Sequence, residues 1–344
     1  MRFGELQSGV TRSPALAALV ALVALVALGA CEPAPDHPDA PASAWSLGPA
    51  MPRRALDAGV AAYGLRVVVA GGFDSAAGDV AARVYELDTT LPGWSRLRDA
   101  PVRWTSPNLA AVGGTVYLLG GLDGQGIAHA EAFVLGPLDG GWKPMAAMDP
   151  VDARGASGVA TAPGRIYLLG GASSTGALAS CLEYNIATGE WGRLPDLPAP
   201  RAHPAVMRRL DGTLIVAGGF ESLDASQPRA EVWALPPPGT VEQVWQHRAA
   251  PSAPRGGCAY GVVLGQLVCA GGDGGPAAST LVESYDPYTD VWTAGEAMPV
   301  ARTATQGAAV GGRLYVLGGD DPLARVATDT LYIYAPLDTA VRRF

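Results

Sequence analysis

Six arginines stand at one place in a repeating phrase. Arg54, Arg103, Arg154, Arg201, Arg255 and Arg302 each precede a paired glycine by 16 or 17 residues. A guanidinium is a planar fork of donors that fits a carboxylate or a set of carbonyl oxygens. Recurrence in every copy supports a structural role, with each arginine paired inside the fold. The alternative is a cationic ring that grips a carboxylate-bearing ligand or an acidic peptide. The polar segments after the glycines carry further charge at Asp74, Asp123, Glu221, Asp273, Asp320 and Asp321. Trp104 follows Arg103 directly and breaks the pattern. Its indole could stack on a sugar or anchor a protein partner; as a large aromatic it equally suits a buried wedge.

Other chemistries find little footing. The histidines are His37, His129, His203 and His247, and no two have the spacing of a shared ligand set, so no metal and no cofactor is expected. In a hairpin turning at 265–266, Cys258 would face residue 273, four positions from Cys269. That register predicts no disulfide and three buried thiols, with Cys181 the third. The double glycines follow apolar runs, but no helical pattern follows them to cradle a phosphate. No convergent acid–base set or serine-nucleophile motif stands out, which leaves the catalytic residues unassigned.

The chain has 344 residues, 49 % of them hydrophobic, and a formal charge of −8; Lys143 is its only lysine. An acidic chain without a basic cluster argues against a nucleic-acid partner. Arg2 and Arg12 precede an uncharged apolar run at 14–30 that ends in Leu28, Gly29, Ala30 and Cys31. This has the layout of a secretory leader and resembles the bacterial lipoprotein cleavage box. The resemblance implies a signal peptide at 1–30, acyl chains on Cys31, and an extracytoplasmic place in the cell envelope. Glu32 after the cysteine favours the outer membrane where a bacterium has two. The Pro- and Ala-rich stretch at 31–43 reads as an extended tether.

The rest, 44–337, is built from one repeat, followed by a tail at 338–344. Apolar runs end in Gly71–Gly72, Gly120–Gly121, Gly170–Gly171, Gly218–Gly219, Gly271–Gly272 and Gly318–Gly319, in steps of 49, 50, 48, 53 and 47 residues. A regular step in this range marks a repeat architecture. Before each run lies a stretch of small residues and a glycine-containing turn, as in a hairpin. After it come a polar loop, a segment with an aromatic (Tyr85, Phe133, Tyr184, Trp233, Tyr285, Tyr334) and a tryptophan (Trp94, Trp142, Trp191, Trp245, Trp292). Four short antiparallel strands per repeat, the second apolar at consecutive positions and so covered on both faces, predict an all-β six-bladed propeller. The sixth copy lacks its tryptophan, while Trp45 stands nine residues before Arg54, as Trp94 does before Arg103. The N-terminal strand is therefore expected to complete the last blade.

The double glycines, third-strand aromatics and spaced tryptophans resemble the kelch repeat, most closely at 282–292. The resemblance implies that the loops after the double glycines and those before the first strands share one face. The six arginines would then ring one mouth of the central channel. The lipid box, the tether and the absence of a convergent acid–base set favour a binding module, monomeric and held to the membrane by its lipid alone, that presents this face to a protein or glycan. The family includes copper-radical oxidases, whose paired imidazoles have no counterpart here. It also includes exported sialic-acid mutarotases, an alternative that would use the funnel arginines on an acidic sugar. The loops at 222–229 and 236–243 depart furthest from the repeat and mark blade four for specificity.

Overall fold

The computed structural model describes residues 43–136, 141–223, 226–240, 243–274, 279–321 and 326–336. The leader, Cys31, the tether through 42 and the tail at 338–344 lie outside the described residues, as do parts of the two blade-four loops.

Six four-stranded antiparallel sheets follow one another along the chain. Blade three shows the plan. Its inner strand is Gly158–Ala162, the second Arg165–Leu169, the third Cys181–Asn185 and the outer Glu190–Leu194. The second strand is buried from Ile166 to Leu169. Ile166 and Leu168 pack in one cluster with Tyr117 and Leu119 of blade two, whereas Tyr167 and Leu169 pack in another with Val216 and Trp233 of blade four. Alternate side chains thus serve opposite faces, and the unbroken apolar run is the record of two neighbours. Each such side chain, fully buried, stabilises the fold by about 1.5–3 kcal/mol.

Trp45–Leu47 is the outer strand of blade six, with Trp45 opposite Tyr334. The sequence expectation of closure by the N-terminal strand holds. Every repeat tryptophan ties its blade to the preceding one. The indole N–H groups of Trp94, Trp142, Trp191, Trp245 and Trp292 donate to the carbonyls of Pro49, Arg98, Ala146, Pro195 and Ala249, at 2.8 to 3.1 Å. Trp45 completes the circuit by donating to Glu296 O at 3.0 Å.

The double glycine is a second blade-to-blade joint. Gly170 has φ +62°, and a Cβ there would sit 2.4 Å from the carbonyl oxygen of Arg201 in the next blade. The N–H of Gly171 donates to that same oxygen at 2.7 Å. Only glycine combines the left-handed backbone with so close an approach. The joint recurs around the ring, from Gly71 on Trp104 O to Gly318 on Ala55 O.

One expectation fails in blade five. Cys258 and Cys269 form a disulfide, with their Cα atoms 5.8 Å apart. The hairpin turns at 264–265, since Val263 pairs with Gln266. This register is one step earlier than the sequence suggested, and Cys269 faces Tyr260. Cys258 is then the diagonal neighbour of Cys269 on the same sheet face, within reach of a bridge. Among the described residues Cys181 is the free thiol, buried, its pKa pushed up to about 11 by desolvation.

Candidate functional site

The glycine joints supply an alignment that spacing left ambiguous. The carbonyls that meet the six first glycines belong to Ala55, Trp104, Arg154, Arg201, Arg255 and Arg302. Arg54 and Arg103 therefore stand one residue before the repeat position, an offset concealed by the 16-or-17 spacing. The six arginines are not equivalent.

Four of them are interior. Arg154 is fully buried; it donates to the carbonyls of Asp152, Gly170 and Ser180, to the Ser180 hydroxyl at 2.7 Å and to Asp152 Oδ1 at 3.2 Å. Arg201 pairs with Glu231 at 3.0 Å and lies 4.4 Å over the Trp233 ring. Arg255 donates to Glu283 at 2.7 Å, both buried. Arg302 lies 3.4 Å from Asp321 and over the Tyr332 ring. Desolvation draws the guanidinium pKa of Arg154, Arg201 and Arg255 downward, against the carboxylates that hold their charge. Arg54 and Arg103 are exposed, and Arg103 reaches Val80 O at 3.3 Å and Asp79 at 3.8 Å. Trp104 takes the interior place in blade two, 3 % exposed and stacked 5.2 Å from His129. Of its two sequence readings, the structure shows the buried wedge.

Two residues beyond the aligned position the chain enters the mouth of the channel. Asp57, Ser106, Ala156, His203, Gly257 and Ala304 all have left-handed backbones, with φ between 46° and 62°. Their peptide groups link blade to blade. The N–H groups of Asp57, Ser106, Ala156, His203 and Gly257 donate to the carbonyls of Ala304, Asp57, Ser106, Ala156 and His203 in turn, at 2.6 to 3.1 Å. Non-glycine residues in this conformation are uncommon, and a set held in register marks a site the surrounding structure over-determines.

Asp57 and His203 belong to blades one and four, opposite each other in a ring of six, yet their side chains meet over the axis with Nδ1 3.8 Å from Oδ1. They sit at the floor of a recess of about 340 Å³ walled by Leu122, Phe220 and Leu223, with Ser173, Ser222 and Thr303 at its sides. Burial pushes the Asp57 carboxyl above the ordinary carboxylate range, and the His203 imidazole pulls it partly back. None of the six repeat arginines lines this recess, nor does Trp104.

Beneath the mouth, Tyr260 of blade five crosses the channel. Its hydroxyl accepts from Val159 N of blade three at 3.0 Å, satisfying a donor on the inner strand. Burial raises that hydroxyl's pKa to about 12. Tyr260 borders both the space below the mouth and a lower cavity of about 300 Å³ along the inner strands.

The sequence offers His203 only as one of four histidines without a shared ligand spacing, and Asp57 was missed. Its signal is the aligned set itself. Four of six positions hold Ser, Ala or Gly, so Asp57 and His203 are the departures.

The Kelch motif matches residues 254–299. The chain is similar to Kelch-like protein terF of Aspergillus terreus, at 26 % identity over 259 residues, which is 71 % of this chain and 55 % of that protein. It is similar to human Kelch-like protein 33, at 33 % identity over 135 residues, covering 39 % of this chain and 25 % of the relative. The chain thus spans about half the length of the first relative and a quarter of the second. The solved structure of YjhT superposes with a TM-score of 0.73 at 17 % identity, over 85 % of this chain and 98 % of that one. The motif match and the similarity to Kelch-like proteins agree with the repeat read from the sequence, and YjhT is a likeness in fold.

Proposed function

We propose that the protein is a binding module that presents the axial recess of its upper face to a partner. The recess carries this reading: apolar walls, a few converging polar groups and a volume of about 340 Å³ are the features of a recognition site. It lies where loops of several blades converge, among them the blade-four loop that supplies Ser222 and Leu223. The propeller scaffold itself suits protein interaction, as its kelch relatives suggest. A mutarotase-like activity working through the repeat arginines draws no support from their places in the fold.

In this reading the module acts outside the cytoplasm as a monomer, anchored through lipid on Cys31, in the outer membrane where there are two. The disulfide between Cys258 and Cys269 supports an oxidising compartment. Cys31→Ser is expected to move the protein from the membrane fraction to the soluble one. Partner binding is tested by a photo-crosslinking residue placed at Ser173 in the recess or at Leu65, an exposed turn residue at the opposite end of blade one. A crosslinked product from Ser173 alone is expected. Products from Leu65 alone, or equally from both, would move the binding surface elsewhere.

A further inference from the structure

We infer that the recess receives a protonated amine on an aliphatic stem, with the Asp57 carboxylate as its counter-ion. The inference rests on the binding-module reading and names the chemistry of what enters the recess. It also reverses the sign that the sequence suggested, because an arginine-lined funnel would have selected an acid.

The charge at the site is the first observation. Among the described lining residues, Asp57 and His203 are the titratable ones, and no lysine or arginine joins them. The second is the state of the Asp57 carboxylate. Among the described residues its oxygens accept no hydrogen bond, and the His203 imidazole stands at 3.8 Å, beyond hydrogen-bond distance. A carboxylate can accept bonds at both oxygens, so Asp57 keeps nearly all of that capacity for a ligand. Partial burial strengthens a charge-assisted bond formed there. The third observation is the wall. Leu122, Phe220 and Leu223 offer apolar surface to a stem. A carboxylate ligand would meet Asp57 and be repelled; a neutral alcohol would leave the charge unpaired.

Two sources share this chemistry: a free alkylamine, and a lysine side chain of a protein partner. The test uses the intact protein in detergent, with calorimetry at neutral pH. Hexylammonium, hexanoate and hexanol are matched probes of one stem with three head groups. Nα-acetyl-lysine N-methylamide represents the lysine source. We expect hexylammonium to bind, and Asp57→Asn to weaken it by at least about tenfold, the value of a lost charged hydrogen bond. Asparagine keeps the shape and tolerates the left-handed backbone, so the variant is expected to fold. Binding is also expected to fade as acid protonates Asp57, which faces His203, the other titratable group among the described lining residues.

A lysine derivative that binds as well as hexylammonium assigns the site to a partner's lysine, and a tenfold preference for hexylammonium assigns it to a free amine. Tighter binding of hexanoate, or hexylammonium binding that survives Asp57→Asn, overturns the inference. If none of the probes binds while crosslinking from Ser173 still captures a partner, the amine inference falls and the binding-module reading stands. If both fail, both fall.

Discussion

The rim and the mouth of this propeller use the same sixfold frame in opposite ways. At the rim, six tryptophans make one hydrogen bond six times, each to the neighbouring blade. At the mouth, six left-handed residues repeat the backbone and share a chain of hydrogen bonds between peptide groups, but their side chains are those of Asp, Ser, Ala, His, Gly and Ala. Where both backbone and side chain repeat, the residue holds the ring together. Where the backbone repeats and the side chain does not, the scaffold has freed the position for recognition. The four interior arginines lie between these classes: the carbonyl at their position makes the glycine joint in all six blades, but Ala55 and Trp104 stand there in the other two.

The comparison can be broken most forcefully at the rim. Deleting residues 44–50 removes the outer strand of blade six with the Trp45 bond, and leaves the edge at Leu331–Tyr334 unpaired. We expect loss of a single cooperative melt together with aggregation, read by calorimetry and light scattering. An unchanged melting temperature would defeat closure as the source of stability.

The arginines separate next. Arg255→Ala strands the buried Glu283 carboxylate and is expected to cost about 3–5 kcal/mol in denaturant unfolding. Arg103→Ala, at an exposed pair with Asp79, is expected to stay within about 0.5 kcal/mol. Equal effects from the two would restore the equivalence that the alignment denies them. Gly170→Ala, forced against the Arg201 carbonyl with positive φ, is expected to cost about 1–3 kcal/mol.

The mouth gives the smallest and most specific signal. Burial raises the Asp57 pKa, so the folded state holds that proton more tightly than the unfolded chain does. The stability from this group is full below the unfolded carboxylate value and is lost as pH rises through the folded one. Asp57→Asn is therefore expected to melt above the parent at neutral pH, with the gap closing in acid. A gap that is constant with pH would place the Asp57 carboxylate in solvent rather than in the recess.

Much of this was legible in the residues. Double glycines at near-constant steps, consecutive apolar positions and the missing sixth tryptophan carry the six blades and their closure by Trp45, because each reflects a contact that every blade must make. Local register was less legible. A turn displaced by one residue separates the expected free thiols from the observed Cys258–Cys269 bridge, since several glycine turns fit the same stretch of sequence. The arginines were misaligned for the same reason, by one residue at Arg54 and Arg103.

Sequence alone determined the architecture, because a repeated pattern of burial and backbone approach has few other solutions. The tertiary structure alone decided what the mouth contains. Asp57 and His203 are 146 positions apart and belong to different repeats. Only the closed ring brings opposite blades to one axis, and only there do a carboxylate and an imidazole without a shared motif become neighbours.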